Sequence, residues 1–327
     1  MKLKKGYLLL IVFILIINVQ SIPLSANDAS AGIAAGGIIL KKEARISMEK
    51  ERLTIALNKI TVEYEFLNQS DTDITTIVAF PIPGYSPFTE EFYRGIPDFK
   101  LMIEGIPVKY QTETSALNKD GQEYTKLLKE LNIPVEGKIV SSEYGDQVVE
   151  LFKKIPENKR KPLYAAGMFE KDENGDSWPC WTVRKTHYWE QKFPAHKIVK
   201  IRHEYTPDVG FKFLGYEDQD IYKNSCATPG MIARLKKFDP GTAHAYWVNY
   251  ILTTANTWKT PIKEFELIVE KSVLPKYLGD SDTLPKFLYV SFCWDDQVLK
   301  LDELRFRAIV KDFIPKNDLI VYYFAKE

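Results

Sequence analysis

The sequence predicts a mainly β fold: an antiparallel β-sandwich, built as one large or two packed sandwich domains, with a short helical insertion. Three observations predict it. Apolar and polar residues alternate with period two, as in residues 59–66 (KITVEYEF), where Ile60, Val62, Tyr64 and Phe66 face one way and Thr61, Glu63 and Glu65 the other. Roughly ten short runs of this kind are separated by turn residues, the spacing of a sandwich. Helical three- and four-residue spacing dominates within residues 116–164.

The elements follow in order. Lys2, Lys4 and Lys5 precede an apolar run over residues 7–19, and a polar step ends in Leu24-Ser25-Ala26 before Asn27-Asp28. This is the layout of a secretory signal peptide cut between Ala26 and Asn27, with an uncleaved anchor as the alternative. The apolar run has 13 residues, short of the ~20 that span a membrane. Gly32 to Gly37 (GIAAGG) reads as a flexible lead into the first strand. Residues 59–66 and 74–80 (ITTIVAF) read as partner strands joined by the turn residues 68–73 (NQSDTD), with Pro81-Ile82-Pro83-Gly84 as the stop. Residues 99–103 and 108–112 form a further hairpin around Gly105-Ile106-Pro107.

Residues 124–131 (YTKLLKEL) and 146–154 (DQVVELFKK) carry helical spacing, and residues 157–162 (ENKRKP) read as a charged, solvated link. Residues 181–193 and 197–205 bracket Pro194-Ala195-His196 as a hairpin, and a helix is expected over 231–237. Strands are then expected over 247–253, 265–269, 287–292, 305–310 and 319–324. The division that results is a leader (1–26), an N-terminal β part (27–115), the helical insertion (116–164) and a C-terminal β-rich part (165–327).

Removing the leader takes three lysines from 44 basic residues and leaves 41 against 44 acidic ones, net −3. Such a chain has no basic field for a polyphosphate, which argues against nucleic acid as a partner. Beyond the leader no apolar segment reaches spanning length, so no membrane span is expected after cleavage. Three cysteines in an exported chain imply one disulfide and one free thiol. Three pairings are possible; the apolar run around Cys293 and the turn after Cys226 favour Cys226–Cys293, a bridge worth about 4 kcal/mol in the chain-entropy model. Cys180, between Pro179 and Trp181, reads as a small buried hydrophobe.

Several strings share one further property. ANDASAGIAAGGIIL from Ala26, VEYEFLNQSDTDITTIVAFPIP from Val62, WTVRKTHYWEQKFPA from Trp181, YILTTANTW from Tyr250 and VSFCW from Val290, in this order, resemble the exported bacterial family called domain of unknown function 4424. The resemblance implies a secreted protein of uncharacterised activity and supplies no catalytic residue. It also implies cysteines near positions 226 and 293, in keeping with that pairing, and makes Cys180 a departure.

Candidate chemistry is sparse. A turn centred on Ala195 places His187 and His203 opposite each other on adjacent strands, where two imidazoles with Glu190 or Glu204 suit a metal; a one-residue slip puts Tyr188 there instead. Residues 172–176 (DENGD) resemble the start of a calcium loop, but Ser177 stands where glycine is needed and Val183 where a bidentate glutamate belongs, so Asn174-Gly175 reads as a turn. No Gly-x-Ser-x-Gly string is present. The aromatics offer a stacking surface of Trp181, Tyr188, Trp189, Tyr246 and Trp258, set against the simpler reading that they fill the core. The expectation is a cell-envelope binding module, periplasmic or extracellular and without a cofactor, that recognises a protein or envelope polymer. A hydrolytic or metal-dependent enzyme using His187 and His203 is the alternative.

Overall fold

The computed structural model describes residues 28–34, 37–88, 96, 98–137, 142–215, 218–237, 243–276 and 289–326. The expected leader and the cut at Ala26-Asn27 lie outside them. One layer is an eight-stranded sheet. Its order is β17 (Leu299–Lys300), β18 (Arg305–Phe313), β15 (Ile262–Glu270), β3 (Ile46–Ile55), β4 (Ile60–Asn68), β12 (Ile198–Tyr205), β6 (Lys100–Ile103) and β7 (Ile106–Pro107). Every pairing in it is antiparallel except β3 with β15, which run parallel.

Two smaller sheets cover its inner face. The five-stranded sheet has the order β2 (Gly37–Leu40), β1 (Ala29–Ala34), β5 (Ile74–Pro81), β11 (Thr182–Phe193) and β8 (Gln111–Leu117). The four-stranded sheet has the order β13 (Val209–Phe213), β14 (Ala243–Tyr250), β19 (Leu319–Lys326) and β16 (Tyr289–Ser291). Leu53, Val62, Ile201 and Leu267 of the large sheet meet Val78, Phe80 and Phe193 of the first and Val248, Tyr250 and Val321 of the second in one buried core. The mainly β, sandwich-like reading of the sequence stands.

Helices α1 (Thr125–Glu130), α2 (Ser142–Lys153) and α3 (Glu157–Ala165) pack with the ribbon β9 (Phe169–Lys171) and β10 (Ser177–Pro179) around Ala116, Trp181 and Val183. Asn174-Gly175 turns that ribbon, with Gly175 at φ 83°. Helices α4 (Gln219–Asn224) and α5 (Pro229–Leu235) cover Ala245, Tyr322 and Phe324 on the outer face of the four-stranded sheet.

The outer face of the large sheet is ionic. Its strands alternate in sign, and cross-strand pairs tie Lys50 to Glu264 (2.8 Å), Arg52 to Glu266 (2.6 Å), Arg307 to Glu266 (2.7 Å) and Arg202 to Glu63 (3.3 Å). Glu266 is only 4% exposed. Burial pushes its carboxyl up, but Arg52 and Arg307 hold it below the usual range.

Several local expectations change. β4 and β5 are not partners; the chain crosses from one sheet to the other between them. β11 and β12 do the same, so Pro194-Ala195-His196 is a corner rather than a hairpin turn. Asn68 clasps both corners: its amide donates to the carbonyls of Thr72 (2.8 Å) and Phe193 (2.9 Å), and its Oδ1 accepts from the Ser70 N–H (3.0 Å). The strand containing residues 111–117 joins the five-stranded sheet, leaving β6 to turn through Glu104-Gly105 into the short β7. The charged stretch 157–162 is helical, because Leu163 is buried beneath it while Lys159 and Lys161 stay exposed and the half-buried Arg160 lies over the Phe152 ring at 5.7 Å. The glycines Gly32 and Gly37 lie in paired strands, not in a lead; a Cβ at Gly32 would stand 2.6 Å from the Lys41 Nζ.

Candidate functional site

Among the described residues an apolar cleft of about 570 Å³ lies where the exit of β5 faces the start of β13. One wall is the segment after β5. Backbone bonds from Ile82 to Lys185 (2.8 Å) and between Tyr85 and Val183 (2.8 and 3.0 Å) fix it along β11. Gly84 permits this approach, since a Cβ there would meet the Thr182 methyl at 2.6 Å. The Tyr85 hydroxyl donates to Glu136, which also pairs with Lys185 at 3.0 Å.

The opposite wall runs from Tyr205 at the end of β12 into β13. Gly210 stands across from Trp247 in the β13–β14 register, and a Cβ at Gly210 would lie 2.0 Å from the indole ring. The bare backbone therefore lets the half-buried Trp247 lie flat over the strand as a platform. Phe211 continues the wall, with its ring 5.1 Å from Tyr246. Polar groups are few: Asp208 and Asn249 line the cleft. Burial, followed by the charge of Asp208, raises the Tyr205 phenol far above its usual range, so it stays protonated.

The aromatic surface expected from sequence does not form. Trp181 is buried with the helices, 4.7 Å from Phe88, and its Nε1 donates to the Val135 carbonyl at 2.8 Å. Trp189, Tyr246 and Trp258 belong to the central core. Trp258 donates to the Asp28 carbonyl at 2.7 Å. Tyr188 is half-buried on the other face of β11, bonded to Gln111 at 2.6 Å. Sheets or helices cover these strands, so alternation alone does not separate an inward aromatic from an outward one.

His187 and His203 are not cross-strand neighbours, because β11 and β12 lie in different sheets. Their rings instead approach Phe99 from facing sheets, at 4.7 and 5.0 Å. Burial, then Lys185, pushes His187 down to about 4; burial, then His187, pushes His203 down to about 3. Both are neutral at physiological pH. Glu204 points to the outer face, where it pairs with Lys59 at 2.8 Å, and Glu190 is exposed. Among the described residues no three metal-ligating side chains converge.

Sequence reasoning missed one buried polar group. Asp28 and Glu51 are wholly inside the core beside Tyr64, Tyr250 and His203. Asp28 Oδ1 is 3.4 Å from His203 Nε2. Burial first, and then Glu51, drive the Asp28 carboxyl well above its usual range. The only sequence signal was Glu51 occupying the inward register of β3 with Leu53 and Ile55.

Comparison with known proteins adds a family. A family model described as a domain of unknown function, DUF4424, matches residues 26–322. The chain belongs to that family. No curated protein matches the DUF4424 chain. Among solved structures it is similar to a "putative nutrient binding protein" of Legionella pneumophila subsp. pneumophila strain Philadelphia 1, at 14% identity and a TM-score of 0.43, over 92% of this chain and 70% of that one. The DUF4424 chain also carries the Cys226–Cys293 disulfide (Cα–Cα 5.1 Å), which joins the end of α4 to the segment after β16. Cys180 is free and half-buried; burial, then Glu170, pushes its thiol up to about 11, so it is a poor nucleophile. No described helix is long and apolar enough to cross a membrane.

Proposed function

We propose that this chain is an exported cell-envelope binding protein that acts without turnover by holding an apolar segment of a protein or polymer in the Tyr85–Trp247 cleft. The cleft itself carries the reading. Its volume falls within the roughly 300–1,000 Å³ of ligand sites, and its walls are aromatic and aliphatic with two polar residues to orient a guest. Asp208 favours a guest that brings a donor or a positive charge to that end. The leader's layout and the disulfide support an oxidising compartment. His187 and His203 are enclosed between the sheets, which favours binding over the enzymatic alternative.

N-phenyl-1-naphthylamine, a neutral apolar fluorophore with one N–H donor, tests the cleft. Titrated into the chain, it should brighten saturably, and Trp247→Ala and Phe211→Ala should each weaken it at least about tenfold, a loss of ~1.4 kcal/mol, with unchanged circular dichroism. Equal affinity in folded variants would remove the cleft as the site.

A further inference from the structure

Trp247 and Phe211 lie on opposite faces of the four-stranded sheet, and this puts a strand edge in the middle of the cleft. Residues opposite each other in an antiparallel pair share a face. Trp247 stands across from Gly210, and its indole lies on the outer face with Ala245. Phe211 stands across from Tyr246 and packs on the inner face against the central core. Between these two lips runs β13, the last strand of its sheet. One bond sets the phase of its ladder: the Leu214 N–H donates to the Ala243 carbonyl at 2.9 Å. By alternation, Gly210 and Lys212 turn their backbone groups to β14, while Phe211 and Phe213 turn theirs outward. Among the described residues no strand pairs with that side of β13. Natural edges are blunted by proline or by charge. β13 contains no proline, and its one charge, Lys212, is neutralised by Asp218. Phe213 is 58% exposed.

We propose that the guest of the cleft is an extended polypeptide segment of a partner protein, added as a strand to Phe211 and Phe213. This deepens the cleft reading, on which it rests, by naming the chemistry of the guest. Side chains of a strand point alternately to its two faces. Here both faces meet apolar walls, Trp247 on one and Phe211 with Tyr205 on the other, so consecutive residues of the segment are apolar. The main chain supplies affinity and the two lips supply selection, the division of labour in strand addition. Charge sets the direction. Among the described residues Asp208 is the only charged group lining the cleft, and it immediately precedes β13. An antiparallel guest brings its carboxyl-terminal part to that end, where a lysine or arginine complements Asp208.

The probe is the peptide acetyl-Thr-Val-Phe-Val-Ile-Arg-Lys-amide in three forms: unmodified, N-methylated at the second and fourth residues, or N-methylated at the third and fifth. Side chains are the same in all three, and the protein is unaltered, so no variant has to fold. The unmodified peptide should bind saturably by calorimetry. The two methylated forms should differ in affinity at least about tenfold, because only one set of amides faces β13. At saturation the Phe211 and Phe213 amides should exchange with deuterium at least about tenfold more slowly, whereas the Lys212 amide, already bonded to β14, should change little. No binding by the unmodified peptide, or equal affinity of the two methylated forms, overturns strand addition. The naphthylamine titration keeps the two readings apart. Dye binding that weakens in Trp247→Ala, with methylation indifferent, leaves the cleft and removes the strand. Dye binding indifferent to Trp247→Ala removes the cleft itself.

Discussion

Gly210 and Trp247 show how a single missing side chain creates a surface. With hydrogen at position 210, the indole lies flat across β13; with any Cβ, the ring and the new carbon would compete for the same 2.0 Å. Gly210→Ala should therefore tilt the indole away and cost about 1–3 kcal/mol, the usual penalty of overpacking. The check is a red shift of tryptophan emission specific to Trp247, together with loss of naphthylamine binding. An unshifted spectrum would mean that the ring has an alternative seat. Neither partner is conspicuous in the sequence. Gly210 stands in a plain Val-Gly-Phe run, and Trp247 belongs to an aromatic stretch whose neighbour, Tyr246, faces the core. What singles them out is the antiparallel register between two strands more than thirty residues apart, which alternation within either strand does not encode.

At the scale of elements, the corners matter as much as the strands. β4–β5 and β11–β12 each look like hairpins because two alternating runs flank a short polar turn, yet each pair splits between sheets. Asn68 makes this possible by bonding into both corners from a fully buried position. Asn68→Ala leaves the Phe193 carbonyl without its donor, and should cost about 2–3 kcal/mol. The urea midpoint should fall accordingly; a midpoint within error of the parent would show that the corners hold without the clasp. The strand Ile60–Asn68 was legible because it alternates cleanly, and Ile74–Pro81 and Thr182–Phe193 because they are rich in β-branched and aromatic residues and bounded by turn residues. Their partners were not, since any two alternating runs satisfy the same pattern. α3 was obscured for a different reason: its propensity signal is weak, and a single residue, Leu163, anchors it.

For the whole molecule, the buried imidazoles tie stability to pH. His187 and His203 have folded pKa values of about 4 and 3, below the ordinary histidine value of 6.5. The unfolded chain therefore takes up protons that the folded chain refuses, so their contribution is complete above pH 6.5 and is lost as pH falls toward 4 and 3. Glu266, held low by its two arginines, adds loss of the same sign below the normal glutamate range. Asp28 acts oppositely: with its carboxyl raised, it favours the folded state at low pH and loses that contribution as pH rises through its folded value. Melts at pH 4 to 7 should show stability falling on acidification, at most by about 2.7 kcal/mol per pH unit for two histidine protons. His187→Leu should roughly halve that slope, and a flat profile in the parent would show that acid opens the core without unfolding it. The parallel pair β3–β15 has a consequence in time. Lys50 meets Glu264, a partner 214 residues later, at the centre of the widest sheet. A chain delivered amino-terminus first must therefore keep β3 unpaired on that side until nearly all of it has emerged. Such long-range pairing makes assembly slow and leaves a sticky strand edge waiting, so a product truncated before residue 262 would be a different and aggregation-prone polymer rather than a shorter version of this protein.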